Sequence, residues 1–111
     1  MNEKDLDQYF FIVKEIKTLN NDINELLKEE RPESKENIDR IVKLLNDRLE
    51  VMVDLREKIE NYINSIEDGD IRLIMRLRHI SKMTWEEIGD EIYMSSSGVF
   101  KKYKKFLKKT S

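Results

Sequence analysis

The chain of 111 residues contains no cysteine, one proline, three glycines and a single histidine, His79. The absence of cysteine excludes disulfides and thiolate metal ligands, and a lone histidine cannot build a metal site by itself. So few turn-forming residues weigh against an all-β fold and favour long helices. Because few nucleophile–base pairs can be assembled, we expect neither an enzyme nor a bound metal or other cofactor.

Long apolar runs are also missing, since the longest covers only residues 9–13. A membrane-spanning helix needs about 20 such residues, and the core of a signal peptide needs about 7–15. We therefore expect no membrane partner, no export signal and a cytoplasmic location.

Charged residues are abundant, at 40% of the chain, and the two halves differ in sign. Residues 1–70 contain 11 Lys and Arg against 19 Asp and Glu, a balance of −8, whereas residues 71–111 contain 10 against 4, a balance of +6. The last seventeen residues hold six lysines and no acidic residue. A basic half of this kind favours nucleic acid as the partner over a membrane surface or mere solubility.

Two amphipathic helices are predicted in the acidic half, over about 4–30 and 35–66. In both, apolar residues recur at alternating steps of three and four. Pro32 separates the helices, and Ser34 is the predicted N-cap of the second. Such narrow stripes suit a hairpin within one chain or a coiled-coil arm that joins two chains. We expect a homodimer formed through these N-terminal helices.

Three shorter helices are predicted after Gly69, which is expected to end the preceding helix in a left-handed conformation. The second of the three opens with a capping box, in which Thr84 and Glu87 bond each other's backbone N–H groups. Gly89 is placed where two helices would cross closely, an approach that the missing side chain permits. Ser95 caps the last helix, whose outer face carries lysines. Two capped helices joined by a tight turn, the second with a basic face, are typical of a helix-turn-helix that enters the DNA major groove.

The residues predicted to contact DNA lie at helix N-termini and on the outer face of the last helix. The capping side chains of Thr84 and Ser95 are expected to hydrogen-bond the phosphate backbone, and Ser96 and Ser97 to lie nearest the bases. Four lysines are expected to neutralise phosphates. They are Lys101, Lys102, Lys104 and Lys105.

The segment TWEEIGDEIYMS, residues 84–95, resembles the helix-turn-helix of sigma factor region 4. With Arg78-His79-Ile80 ahead of it, it is similar to small phage-encoded transcriptional regulators of the RinA/ArpU-like group. The resemblance covers about residues 70–108 and implies DNA binding and control of phage transcription, often of late genes. The chain departs from the sigma pattern where Gly89 replaces the usual alanine, Tyr93 a turn glycine, and, ahead of the segment, His79 a tyrosine.

The sequence thus predicts an all-α protein with an acidic helical hairpin or coiled-coil arm over 1–68. A basic helix-turn-helix domain of the sigma region 4 type follows over 69–111. The predicted function is sequence-specific regulation of transcription on double-stranded DNA, with RNA polymerase as a candidate partner. Two alternatives stay open. Either the acidic arm binds polymerase or another protein and the basic domain only anchors it, or the chain is the DNA-recognition subunit of a phage packaging terminase.

Overall fold

A computed structural model describes residues 1–110, which form five α-helices and no β-strand, and this confirms the predicted all-α fold. The contacts divide the chain into two compact units. The hairpin unit is Gln8–Leu55, and the helix-turn-helix unit joins Met1–Asp7 to the chain from Arg56 onward. The predicted division after residue 68 stays a prediction. The helices are α1 (Glu3–Glu29), α2 (Pro32–Asn64), α3 (Gly69–His79), α4 (Trp85–Ile92) and α5 (Ser96–Thr110).

The hairpin unit is formed by an antiparallel pair of helical segments from α1 and α2. The apolar stripe predicted for α1 faces inward, with Tyr9, Ile16 and Leu19 buried. Arg48 Nε on α2 donates to Glu15 Oε1 on α1 at 2.8 Å, so the two helices pair within one chain. The stripe of α2 in this unit is only half-buried along its length and consists of Ile38, Val42, Leu45, Leu49 and Met52.

The turn between α1 and α2 contradicts the prediction for Ser34. The second helix begins at Pro32, because the fixed φ and missing N–H of proline fit the first helical position. Ser34 therefore lies inside the helix and is buried, and its hydroxyl donates to the Glu29 carboxylate at 3.0 Å instead of capping. Glu30 takes the left-handed conformation in the turn, with φ 52°.

The helix-turn-helix unit has a small apolar core to which α2, α3, α4, α5 and the first residues of the chain all contribute. Complete burial of one such side chain stabilises the fold by about 1.5–3 kcal/mol. Because α3, α4 and α5 pack on one another around this core, the orientation of α5 is fixed by the other helices. The fully buried side chains are Leu6, Ile59, Ile63, Ile74, Met75, Ile88 and Val99.

The start of α3 contradicts the prediction for Gly69. Asp68 is the N-cap of α3, and its side chain accepts the backbone N–H groups of Asp70 and Ile71. Gly69 does not form the predicted left-handed cap. It is the first residue of α3, and no glycine within residues 1–110 has a positive φ. The cap at Asp68 places Gly69 in the first helical turn, where φ is negative.

Candidate nucleic-acid interface

The predicted capping box opens α4. The Thr84 hydroxyl oxygen accepts the N–H of Glu87 at 3.1 Å, and the Glu87 carboxylate accepts the N–H of Thr84 at 3.1 Å. Hydrogen bonds from the Thr84 backbone N–H and, to a smaller extent, from its side chain hold the pKa of the Glu87 carboxyl below its usual range, so the cap is ionised at neutral pH. Because the Thr84 hydroxyl also interacts with the Glu87 carboxylate, a phosphate oxygen would have to compete with that carboxylate for its hydrogen.

The turn between α4 and α5 brings backbone atoms very close to Gly89. Tyr93 ends α4 in the left-handed conformation with φ 58°, and the N–H of Met94 donates to the Gly89 carbonyl at 2.9 Å. A Cβ added at Gly89 would overlap the Met94 carbonyl oxygen. A close approach does occur at Gly89, but the predicted crossing of two helices is not its cause, because the nearby backbone belongs to the turn and to the first residue of α5.

Ser95 caps α5 as predicted. Its Oγ accepts the N–H of Gly98 at 3.1 Å, and its carbonyl accepts the N–H of Val99 at 3.0 Å. Ser96 and Ser97 form the first turn of the helix and are exposed. The first turn of α5 therefore presents short hydroxyl side chains and helix-terminal N–H groups to the surroundings, which together suit an anion.

Two of the predicted lysines point freely outward from α5. Because Val99, Tyr103 and Leu107 face the core, Lys101 and Lys105 lie on the opposite side of the helix and are exposed. Neither forms an ion pair with another side chain in residues 1–110. Their spacing of four residues places both ammonium groups on one face.

The other two predicted lysines are paired with carboxylates of the same unit. Lys102 Nζ donates to Asp70 at 3.0 Å, and Lys104 Nζ donates to both carboxylate oxygens of Glu3 at 3.1 Å. All four side chains are at least 36% exposed, and exposed ion pairs contribute only about 0–1 kcal/mol. A phosphate can therefore compete with these carboxylates for both lysines.

An aromatic cluster that the sequence analysis did not identify supports α5. The Arg78 guanidinium lies over the Trp85 ring at 4.2 Å and donates to the Met83 carbonyl at 3.0 Å. Trp85 in turn contacts the rings of Tyr103 and Phe100, with centroids 4.6 and 5.4 Å apart. Trp85 is thus half-buried and packs against other rings of the bundle.

His79 belongs to this packed region and is held neutral. Its Nε2 lies 3.0 Å from the Tyr103 hydroxyl. Burial, with a further contribution from the charge of Arg78, lowers the pKa of His79 to about 4. Burial also raises the pKa of Tyr103. The pair is a structural hydrogen bond at the edge of the bundle.

This pairing predicts that the protein loses stability as the pH falls from about 6.5 to 4. In that window the unfolded chain binds a proton at His79 that the folded chain excludes, so the free energy of unfolding falls by up to about 2–3 kcal/mol. A His79→Gln variant keeps a hydrogen-bonding side chain without titrating. We expect its free energy of unfolding, measured with urea, to depend less on pH than that of wild type. The difference in slope should correspond to nearly one proton taken up on unfolding. Equal pH slopes for the two proteins would contradict this.

Within residues 1–110, no helix has the length and apolar character of a membrane span, and no group of acidic or histidine side chains is suited to a metal ion.

No curated protein and no solved structure matches the chain. A family model described as "Protein of unknown function (DUF1492)" matches residues 35–110, which run from the first turns of α2 to the end of α5. More than half of the chain is matched, and the protein therefore belongs to the DUF1492 family.

Proposed function

We propose that this protein binds double-stranded DNA through α4 and α5 and regulates transcription. The observation that carries the proposal is the exposed pair Lys101 and Lys105 on α5, a helix held by a capped α4, a tight turn and a shared core. Two capped helices in this order are the arrangement that lays the second helix in the major groove. Mobile ammonium groups on that helix then neutralise phosphates on either side of it.

The finer parts of the proposal rest on the resemblance of residues 84–95 to sigma factor region 4 and to the RinA/ArpU-like regulators. They are a phage or prophage origin and control of phage genes. RNA polymerase is the proposed protein partner, because the region that the motif resembles belongs to a polymerase subunit.

A homodimer through the hairpin unit completes the proposal. The stripe of α2 is half-buried in the single chain, and Val51 and Val53 on the same helix are 42% and 58% exposed. A second copy would cover such apolar surface. Two recognition helices would then read two half-sites of one operator.

The ion pair at Glu3 predicts a gain in affinity when its charge is removed. In a Glu3→Gln variant, Lys104 is released for phosphate and a carboxylate next to the interface is lost. We expect affinity for duplex DNA to rise about two- to fivefold at ~0.1 M salt, with stability changed by less than about 1 kcal/mol. Fluorescence anisotropy on a labelled duplex measures the change.

The matched control for that change is Glu36→Gln, which removes an exposed carboxylate from the hairpin unit. An equal gain in both variants would mean that only net charge matters. It would contradict a specific role for Glu3.

Selection of bound fragments from sheared genomic DNA by the full-length protein tests the proposed function. Enrichment of fragments that share one sequence is the expected result. Retention of no DNA at low salt would overturn the proposal and would leave the acidic hairpin as the functional part of the chain.

A further inference from the structure

The first turns of α5 lack the side chains that usually read bases. Arg, Asn and Gln, which make bidentate hydrogen bonds to base edges, do not occur in α5. Ser96 and Ser97 carry short hydroxyls that can accept a hydrogen bond from any base or donate one to it, and Gly98 has no side chain. If α5 enters the major groove, the hydrogen bonds of its first turn therefore discriminate little between bases, and beyond that turn its lysines could recognise only guanine.

Phe100 is the large apolar side chain exposed on this part of the helix. It is 40% exposed, and its ring packs edge-to-face on Trp85 with the centroids 5.4 Å apart and the planes at 73°. Lys104 Nζ lies 5.7 Å from the ring centroid. The ring therefore contacts both Trp85 and Lys104 while part of its surface stays open.

The position of Phe100 on the helix places it among the residues predicted to meet DNA. Residues 97, 100, 101 and 104 follow the spacing i, i+3, i+4 and i+7, so they share one face of α5. An apolar ring between ammonium groups suits a surface that is anionic at its edges and has an apolar patch inside. The major groove is such a surface, because phosphates border it and the C5-methyl group of thymine protrudes into it.

We infer that Phe100 is a specificity-determining residue that contacts the C5-methyl group of thymine in the major groove. This inference rests on the proposed function, since it needs α5 to enter the groove. Lys101, and Lys104 once a phosphate has displaced Glu3 from it, hold the flanking phosphates. Trp85 fixes the ring so that little side-chain freedom is lost on binding. The binding site is therefore expected to contain thymine at a defined position in each half-site.

The test compares one duplex, taken from the genomic selection, synthesised with thymine or with uracil. Uracil has the same hydrogen-bonding groups and lacks only the methyl. Wild-type protein is expected to bind the thymine duplex about fourfold more tightly for each methyl contacted, which corresponds to ~0.8 kcal/mol for a buried methyl group. In a Phe100→Ala variant the two duplexes should bind equally, whereas Phe100→Leu, which keeps an apolar contact, should retain part of the difference.

The outcomes separate this inference from the proposal on which it rests. Equal binding of both duplexes by wild type overturns the inference and leaves DNA binding intact, and the comparison needs no variant that might fail to fold. Undiminished discrimination by Phe100→Ala assigns the methyl contact to another residue and also overturns it. Retention of no DNA at all removes the proposed function itself, and the inference with it.

Discussion

Replacing Gly89 by alanine is expected to destabilise the protein by about 2–3 kcal/mol and to abolish DNA binding at moderate salt. The added Cβ would overlap the Met94 carbonyl oxygen and lie 3.4 Å from backbone atoms of Ser95 and Ser96. These are backbone atoms of the turn and cannot rotate away as the end of a side chain can. Alanine's higher helix propensity, worth up to about 1 kcal/mol, offsets only part of this strain.

The control for that variant is Gly69→Ala, which makes the same chemical change at the start of α3. There the nearest atom to the added Cβ is Arg72 Nη2 at 3.8 Å, an ordinary contact distance. We expect this variant to unfold at the same urea concentration as wild type or slightly higher, because alanine favours the helix. Equal stability of the two variants would contradict this, because it would mean that the turn between α4 and α5 accommodates the Cβ of Gly89→Ala without any decrease in stability.

Simultaneous replacement of Lys101 and Lys105 by alanine is expected to weaken DNA binding at least about tenfold at ~0.1 M salt. Each lysine that neutralises a phosphate contributes about 0.9 to the slope of log affinity against log salt, so the slope should become shallower by about 2. Both side chains are exposed and form no ion pair within the described residues. The free energy of unfolding should therefore change by less than about 0.5 kcal/mol.

The matched control is a double variant, Lys17→Ala with Lys43→Ala, in the hairpin unit. It removes the same total charge from exposed positions in α1 and α2. We expect it to bind DNA within about twofold of wild type, because phosphate contacts act over short distances at this salt concentration. An equal loss of affinity in both double variants would mean that the net charge of the chain, and not the face of α5, determines binding.

Local sequence patterns predicted most of the helical framework and its caps. The stripe that contains Ile16 and Leu19, the capping box of Thr84 and Glu87, and the cap at Ser95 all depend on residues within a few positions of one another. Such short-range geometry can be read from spacing alone. Pro32 was misread as an interruption before the helix, because proline at the first helical position looks the same in sequence as proline that ends one.

Long-range side-chain partners could not be predicted. The bond between Glu3 and Lys104 joins residues 101 positions apart, and nothing in either local pattern marks the other as its partner. The sequence does not specify a partner for Arg78, and only the packing of α3 against α4 brings its guanidinium over the Trp85 ring. The bond between Glu3 and Lys104 leaves fewer unpaired ammonium groups on α5 than its lysine content suggests.

The salt dependence of wild-type binding to duplex DNA tests the central claim most directly. If α5 presents its cationic face to the duplex, four to six phosphate contacts should give a log–log slope of about −4 to −5 for each helix-turn-helix. Measured by fluorescence anisotropy over a range of salt concentrations, a slope of that size is the result we predict. A slope near zero would contradict the account, because it would mean that the ammonium groups of α5 neutralise no phosphates.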